Sequence, residues 1–149
     1  MKRFKKITIY SLSILYIVVG TKHFTNSEFF ITIVPPIISL KKEVVLISGF
    51  FEIILGICLL FKSTRKFASI GIILLLISVF PANIYLYTSE IARDILNISK
   101  SQALFRMPFQ INLIILAHWH SIEKSSKKFS ILNLIIFIPT ILYFILISL

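Results

Sequence analysis

Apolar residues in this chain come in long uncharged runs, separated by short polar and basic stretches. The runs cover residues 7–21, 29–40, 67–89, 107–122 and 129–149, and another, 44–61, is interrupted only by Glu52. A helix rises about 1.5 Å per residue, so roughly 17–25 residues cross a bilayer. The pattern therefore predicts membrane-crossing helices at about 7–24, 44–61, 67–88 and 107–122, with a fifth at 129–149 that Pro139 would kink. Residues 29–40 are too short to cross. They hold Pro35-Pro36, where proline removes a backbone donor and disfavours helix in the residue before it. This piece is expected to be interfacial or re-entrant. Residues 89–106 mix acidic and basic side chains without periodicity and read as a polar connection. Pro108 then falls in the first turn of the next helix, a position that suits it. Internal repeats and low-complexity tracts are absent from the sequence.

Composition sharpens this into a class. Hydrophobic residues make up 57% of 149 positions and the mean hydropathy is +0.94, against roughly 45–50% apolar residues in soluble domains. The expectation is a single all-α domain over 1–149, an integral membrane helix bundle embedded in a lipid bilayer. The formal charge of +10 suggests nucleic acid at first sight. The basic residues, however, lie between apolar runs rather than on one face, so no nucleic-acid partner is expected. Lys2, Arg3, Lys5, Lys6, Lys62, Arg65, Lys66, Lys124, Lys127 and Lys128 fall on one side of the expected topology. Lys22, Lys41, Lys42, Arg93, Lys100 and Arg106 fall on the other. The positive-inside rule then makes the N-terminus cytoplasmic and leaves Leu149 outside, in a bacterial inner membrane. The first run is followed by Gly20-Thr21-Lys22-His23-Phe24, which offers no small-residue cleavage site, so it reads as an anchor rather than a signal peptide. Cys58 is the single cysteine, which rules out an intrachain disulfide or a CxxC redox pair.

Glu52 is the residue that needs explaining. A carboxylate at midplane costs about 2.5–3.5 kcal/mol on insertion scales. Ser48, Gly49 and Gly56 share its helical face, a small-residue stripe that lets another helix approach closely, so Glu52 is expected to point into the bundle. If it is hydrogen-bonded there, Glu52→Leu should lower stability. His23 near the end of the first span, Asn83 beside Pro81 in the third, and Arg106 with Gln110 at the start of the fourth are expected at similar depth. These five form the candidate ligand-binding cluster, with Phe24, Phe80 and Phe109 as its expected apolar walls. Two readings of the cluster stand: a ligand or proton site, or a hydrogen-bonded plug that sets helix register. His118 and His120, two apart, point to opposite sides of a helix and cannot chelate one ion. With Trp119 they read as interfacial. Tyr16 and the other tyrosines read as packing. A phosphate loop, a catalytic triad, a carboxylate pair and a metal motif are all missing from the sequence.

Several of these residues also carry a resemblance. Gly20-x-x-His23-Phe24, Pro35-Pro36, Ser48-Gly49-x-x-Glu52-x-x-x-Gly56, Arg65, Pro81-Ala-Asn-Ile-Tyr85 and Pro108-x-Gln110 resemble the DoxX family of bacterial membrane proteins. The likeness covers 7–122 and leaves 129–149 as an added C-terminal transmembrane helix. It implies a four-helix membrane core distantly similar to vitamin K epoxide reductase-like folds, whose redox cysteines this chain lacks. Some relatives in that family are subunits of a thiosulfate:quinone oxidoreductase. The resemblance therefore implies a quinone- or redox-associated subunit, with a quinone as ligand and a redox subunit as partner. The alternative is a non-enzymatic assembly component. A solute carrier is disfavoured by the lack of inverted repeats.

Overall fold

The structure is a computed structural model that describes residues 2–148. Seven helices account for nearly all of them: α1 (Lys2–Thr25), α2 (Ser27–Thr32), α3 (Lys41–Leu60), α4 (Arg65–Thr88), α5 (Glu90–Leu96), α6 (Lys100–Ser121) and α7 (Lys127–Ser148). Strands are absent among the described residues. By length and composition α1, α3, α4 and α7 are each able to cross a membrane. α6 is as long, but Gln102, Arg106, Gln110, Asn112 and its two histidines hold its apolarity below theirs.

The five long helices form one antiparallel bundle. Ser13 donates to the Gly56 carbonyl between α1 and α3. Gln110 Nε2 donates to the Leu76 carbonyl at 2.7 Å between α6 and α4, and Asn112 Nδ2 to Thr140 Oγ1 at 3.0 Å between α6 and α7. The main core gathers Leu12, Tyr16, Leu59, Ile72, Leu116 and Trp119 from four of these helices. α7 presents Ser130, Asn133 and Thr140 to it, all buried, at the three- and seven-residue spacing of one helical face. The termini Thr25, Lys41, Thr88 and Lys100 mark the upper end of the bundle. There α2 and α5 pack together over a second cluster of Ile33, Leu86, Ala92 and Ala103. At the lower end Arg65 donates through Nε to the Leu59 carbonyl and through Nη2 to that of Leu60, each at 3.0 Å. These bonds satisfy carbonyls that the last turn of α3 leaves free.

Three expectations need correction. Residues 89–106 are more than a polar connection: they contain α5 and the first turns of α6. Ser89 Oγ accepts from the Ala92 amide at 3.2 Å. Ser99 and Gln102 form a reciprocal capping box at 3.2 and 2.8 Å, and Asn97 closes α5 in a left-handed conformation with φ 53°. Ser-x-x-Gln is a legible helix start. It places α6 seven residues earlier than the apolar run does, so Pro108 lies inside the helix. Trp119 is not an interfacial anchor either. It is 1% exposed and donates from Nε1 to Ser125 Oγ at 3.1 Å. His120 is likewise buried, with Nε2 3.0 Å from Thr8 Oγ1, whereas His118 on the other side of the helix is exposed. Lys5 crosses beneath this knot and donates to the Ile122 carbonyl at 2.6 Å. α1 and α6 are thus tied at their lower ends by polar contacts that a hydropathy profile does not register.

Candidate functional site

Two glycines decide where the first half of the site forms. Gly20 of α1 and Gly49 of α3 face each other so closely that a methyl group on Gly49 would overlap the Cβ of His23. One on Gly20 would sit 2.7 Å from the Gly49 carbonyl oxygen. Small residues at a crossing let backbones approach, and the approach sets His23 beside Glu52, with Nδ1 3.4 Å from Oε2. His23 Nδ1 also lies 3.0 Å from the Val19 carbonyl, and its ring stacks on Phe30 of α2 at 3.7 Å between centroids. Glu52 is 8% exposed, and its Oε2 has no hydrogen-bond partner. Buried polar atoms are nearly always satisfied, so this oxygen is an exception that calls for a role.

The second half is built by α4 and α6. Asn83 Nδ2 donates to Gln110 Oε1, and Asn83 Oδ1 accepts from Arg106 Nε at 3.1 Å. Arg106 also lies over the Phe29 ring, 5.4 Å from its centre. Arg106 and Gln110 are four residues apart and share one face of α6. No carboxylate lies within ion-pair distance of the Arg106 guanidinium among the described residues.

All five residues, His23, Glu52, Asn83, Arg106 and Gln110, line one cavity of about 200 Å³. Its walls are mostly apolar, from Leu15, Val19, Ile33, Val34, Val45, Leu113 and Phe144. Neither Phe24, Phe80 nor Phe109 is among the lining residues. Phe24 lies next to His23 in sequence, so about 100° around the helix it points outward and is 47% exposed. Phe109 instead stacks on Tyr143 at 4.1 Å. The aromatic walls are Phe30 and Phe144, from a short cap helix and from α7.

Tyr16 belongs to the site as well. It lines the cavity, is 5% exposed, and its hydroxyl has no partner. The signal was present in the sequence: Tyr16, Gly20 and His23 follow the four- and three-residue spacing of one α1 face. The result is a cavity with a carboxyl, an imidazole and a phenol on one side and an amide–guanidinium cluster on the other. Such a chamber can hold a small ring with oxygen atoms at both ends. Groups of three or more His, Cys, Asp or Glu able to hold a metal ion are absent among the described residues.

Comparison with known proteins adds one result. No curated protein and no solved structure matches the chain. A family match runs over residues 12–121, from the third turn of α1 to the end of α6, and includes every polar residue of the cavity. On that coverage the chain belongs to the family described as Domain of unknown function (DUF8561).

Proposed function

We propose that the protein is a multi-pass membrane protein of the DoxX kind, in a bacterial inner membrane, whose cavity binds the ring of a membrane quinone for a redox partner subunit. The observation that carries this reading is the convergence of His23, Glu52, Asn83, Arg106 and Gln110, from four helices, on one apolar-walled chamber. Pockets that pair apolar walls with a few convergent polar groups are ligand sites by default, and ionisable groups at membrane depth are functional candidates. Size narrows the ligand. Dry cavities of about 150 Å³ take benzene, so about 200 Å³ suits one substituted ring better than two fused ones. A benzoquinone presents an oxygen at each end of such a ring. Arg106 spends Nε on Asn83, which leaves its Nη groups to donate to one oxygen. Glu52 and His23 lie on the far side, where they can exchange a proton with the other.

Binding is measured on full-length protein in lipid nanodiscs, with a decyl-tailed benzoquinone. A charge-assisted hydrogen bond contributes about 1.5–3 kcal/mol, so Arg106→Ala is expected to weaken binding roughly ten- to a hundredfold. Saturation with the same affinity in wild type and variant, or no binding by the wild type, would remove the quinone reading. A second reading, a non-enzymatic assembly component, draws support from the direct Asn83–Gln110 and Arg106–Asn83 bonds, which lock α4 to α6. It expects no binding together with a loss of stability in Asn83→Ala.

Orientation in the membrane is tested separately. The lower end carries ten of the sixteen basic residues, and by the positive-inside rule it faces the cytoplasm. Reporter fusions after Lys6, Arg65 and Lys128 are expected to read as cytoplasmic, and those after Lys42, Lys100 and Leu149 as external. A cytoplasmic signal at Leu149 alone would mean that α7 does not cross.

A further inference from the structure

The two helices that flank the cavity do not stay together along their length. Near its lower end α4 packs on α3 so closely that a methyl group on Gly71 would come within 2.6 Å of Leu55 Cδ2. Helical spacing puts residues 71, 75, 78 and 82 on one stripe of α4. On α3 the facing stripe runs from Leu55 through Glu52 and Ser48 to Val44. Gly71 and Leu75 are partly covered, but Ser78, one turn higher, is exposed. Val44 on α3 is 40% exposed. Both residues nevertheless line the cavity. Exposed residues that line an interior chamber mark its mouth. The stripes have splayed apart, and the chamber opens sideways between α3 and α4.

The surroundings of this mouth are apolar. Ser78 Oγ donates to the Leu74 carbonyl of its own helix at 2.8 Å, so it presents no free donor. Ile47 of α3 and Leu74 and Ile77 of α4 are all exposed beside it. The upper end, by contrast, is shut by buried Ile33 and Val34 and by Phe30 stacked on His23. Ser78 lies ten residues below Thr88, about 15 Å along the helix axis. In a hydrocarbon layer about 30 Å thick that depth is near the middle. A water-soluble ligand would have to cross an apolar rim to enter here. A membrane-dissolved one would not.

We propose that the gap between α3 and α4 is a second subsite that holds the hydrocarbon chain of a single-tailed amphiphile, whose ring occupies the cavity and which arrives sideways from the lipid. This rests on the quinone-ring reading, and the two can fail separately. The continuity of gap and chamber sets the occupant: a ring bound among Arg106, Gln110 and Glu52 has an apolar way out for its tail past Val44 and Ser78.

Two measurements on the full chain in phosphatidylcholine nanodiscs test this. A nitroxide on Ser78→Cys, in a Cys58→Ser background, is expected to collide with molecular oxygen and not with a water-soluble nickel chelate, as does one at the lipid-facing reference Leu74→Cys. Preferential collision with the chelate, or none with either, overturns the lateral opening. The second measurement compares a decyl-tailed benzoquinone with the tail-free ring, each expressed as mole fraction in the lipid. Ile47→Trp, which narrows the gap at its rim from a position that does not line the cavity, is expected to weaken the tailed ligand by about tenfold or more and to leave equilibrium binding of the tail-free ring unchanged. That unchanged binding also reports that the variant is folded. If neither ligand is weakened, or both are weakened equally, the chain subsite is overturned while the ring site stands. If wild type binds neither, the ring site and the subsite built on it both fall.

Discussion

Gly49→Val is expected to be the most destructive single substitution in the chain. The added Cβ would overlap that of His23 and approach the Gly20 carbonyl oxygen to 2.9 Å. Neither neighbour is the tip of a flexible side chain, so relief requires α1 and α3 to move apart. Overpacking of this kind costs about 1–3 kcal/mol and sometimes more, and here it also separates His23 from Glu52. The thermal midpoint in detergent should fall by several degrees, and ligand binding should be lost with it. Gly71→Ala is the control: it meets the end of the Leu55 side chain, which can rotate away, so its effect should be small. Gly20→Ala invades the same crossing as Gly49, and in the double variant the second change should cost less than it does alone, because contacting sites are not additive. Equal midpoints for Gly49→Val and Gly71→Ala would show that the α1–α3 crossing is looser than described.

The second large effect is expected at Glu52, and its sign is the reverse of what a hydrogen-bonded carboxyl would give. Oε2 is buried without a hydrogen bond, because His23 Nδ1, 3.4 Å away, is engaged with the Val19 carbonyl at 3.0 Å, and an unsatisfied buried polar atom carries a desolvation penalty of about 1–3 kcal/mol. Glu52→Leu removes the penalty and fills the space with apolar volume, so it should raise thermal stability while abolishing binding of the benzoquinone ring. Glu52→Gln keeps the shape and should leave stability near wild type. A carboxyl kept at the expense of stability is the pattern expected of a functional group. A lower midpoint for Glu52→Leu would instead mean that the carboxyl holds the bundle together, which would favour the assembly reading.

Much of the fold was legible without coordinates because membrane-length helices write themselves as apolar runs. The cores of α1, α3, α4 and α7 emerge directly, and the Ser48, Gly49 and Gly56 stripe marked the face on which Glu52 turns inward. Boundaries were less legible where a polar cap, not an apolar run, starts the helix. α6 begins at its Ser99–Gln102 box rather than at Met107, because the box satisfies the free amides of the first turn whatever the hydropathy of the later turns.

The site divides in the same way. Which polar residues meet was readable from their positions along the helices: His23, Glu52, Asn83, Arg106 and Gln110 were expected at similar depth, and they line one cavity. Their pairing was not readable. That His23 meets Glu52 depends on how closely Gly20 and Gly49 let α1 and α3 approach, and that Asn83 bridges Arg106 and Gln110 depends on the relative height of α4 and α6. The walls were beyond the sequence for the same reason. Fourteen phenylalanines are equally apolar on paper, and only helix phase and the placement of α2 and α7 bring Phe30 and Phe144 to the cavity and turn Phe24 outward. Hydropathy and spacing are properties of one helix at a time, so the sequence by itself determined the long apolar helices and the inward faces of most of them. Distances between helices, the cavity they enclose and the gap between α3 and α4 arise from several helices packing at once, and only the tertiary structure decided those.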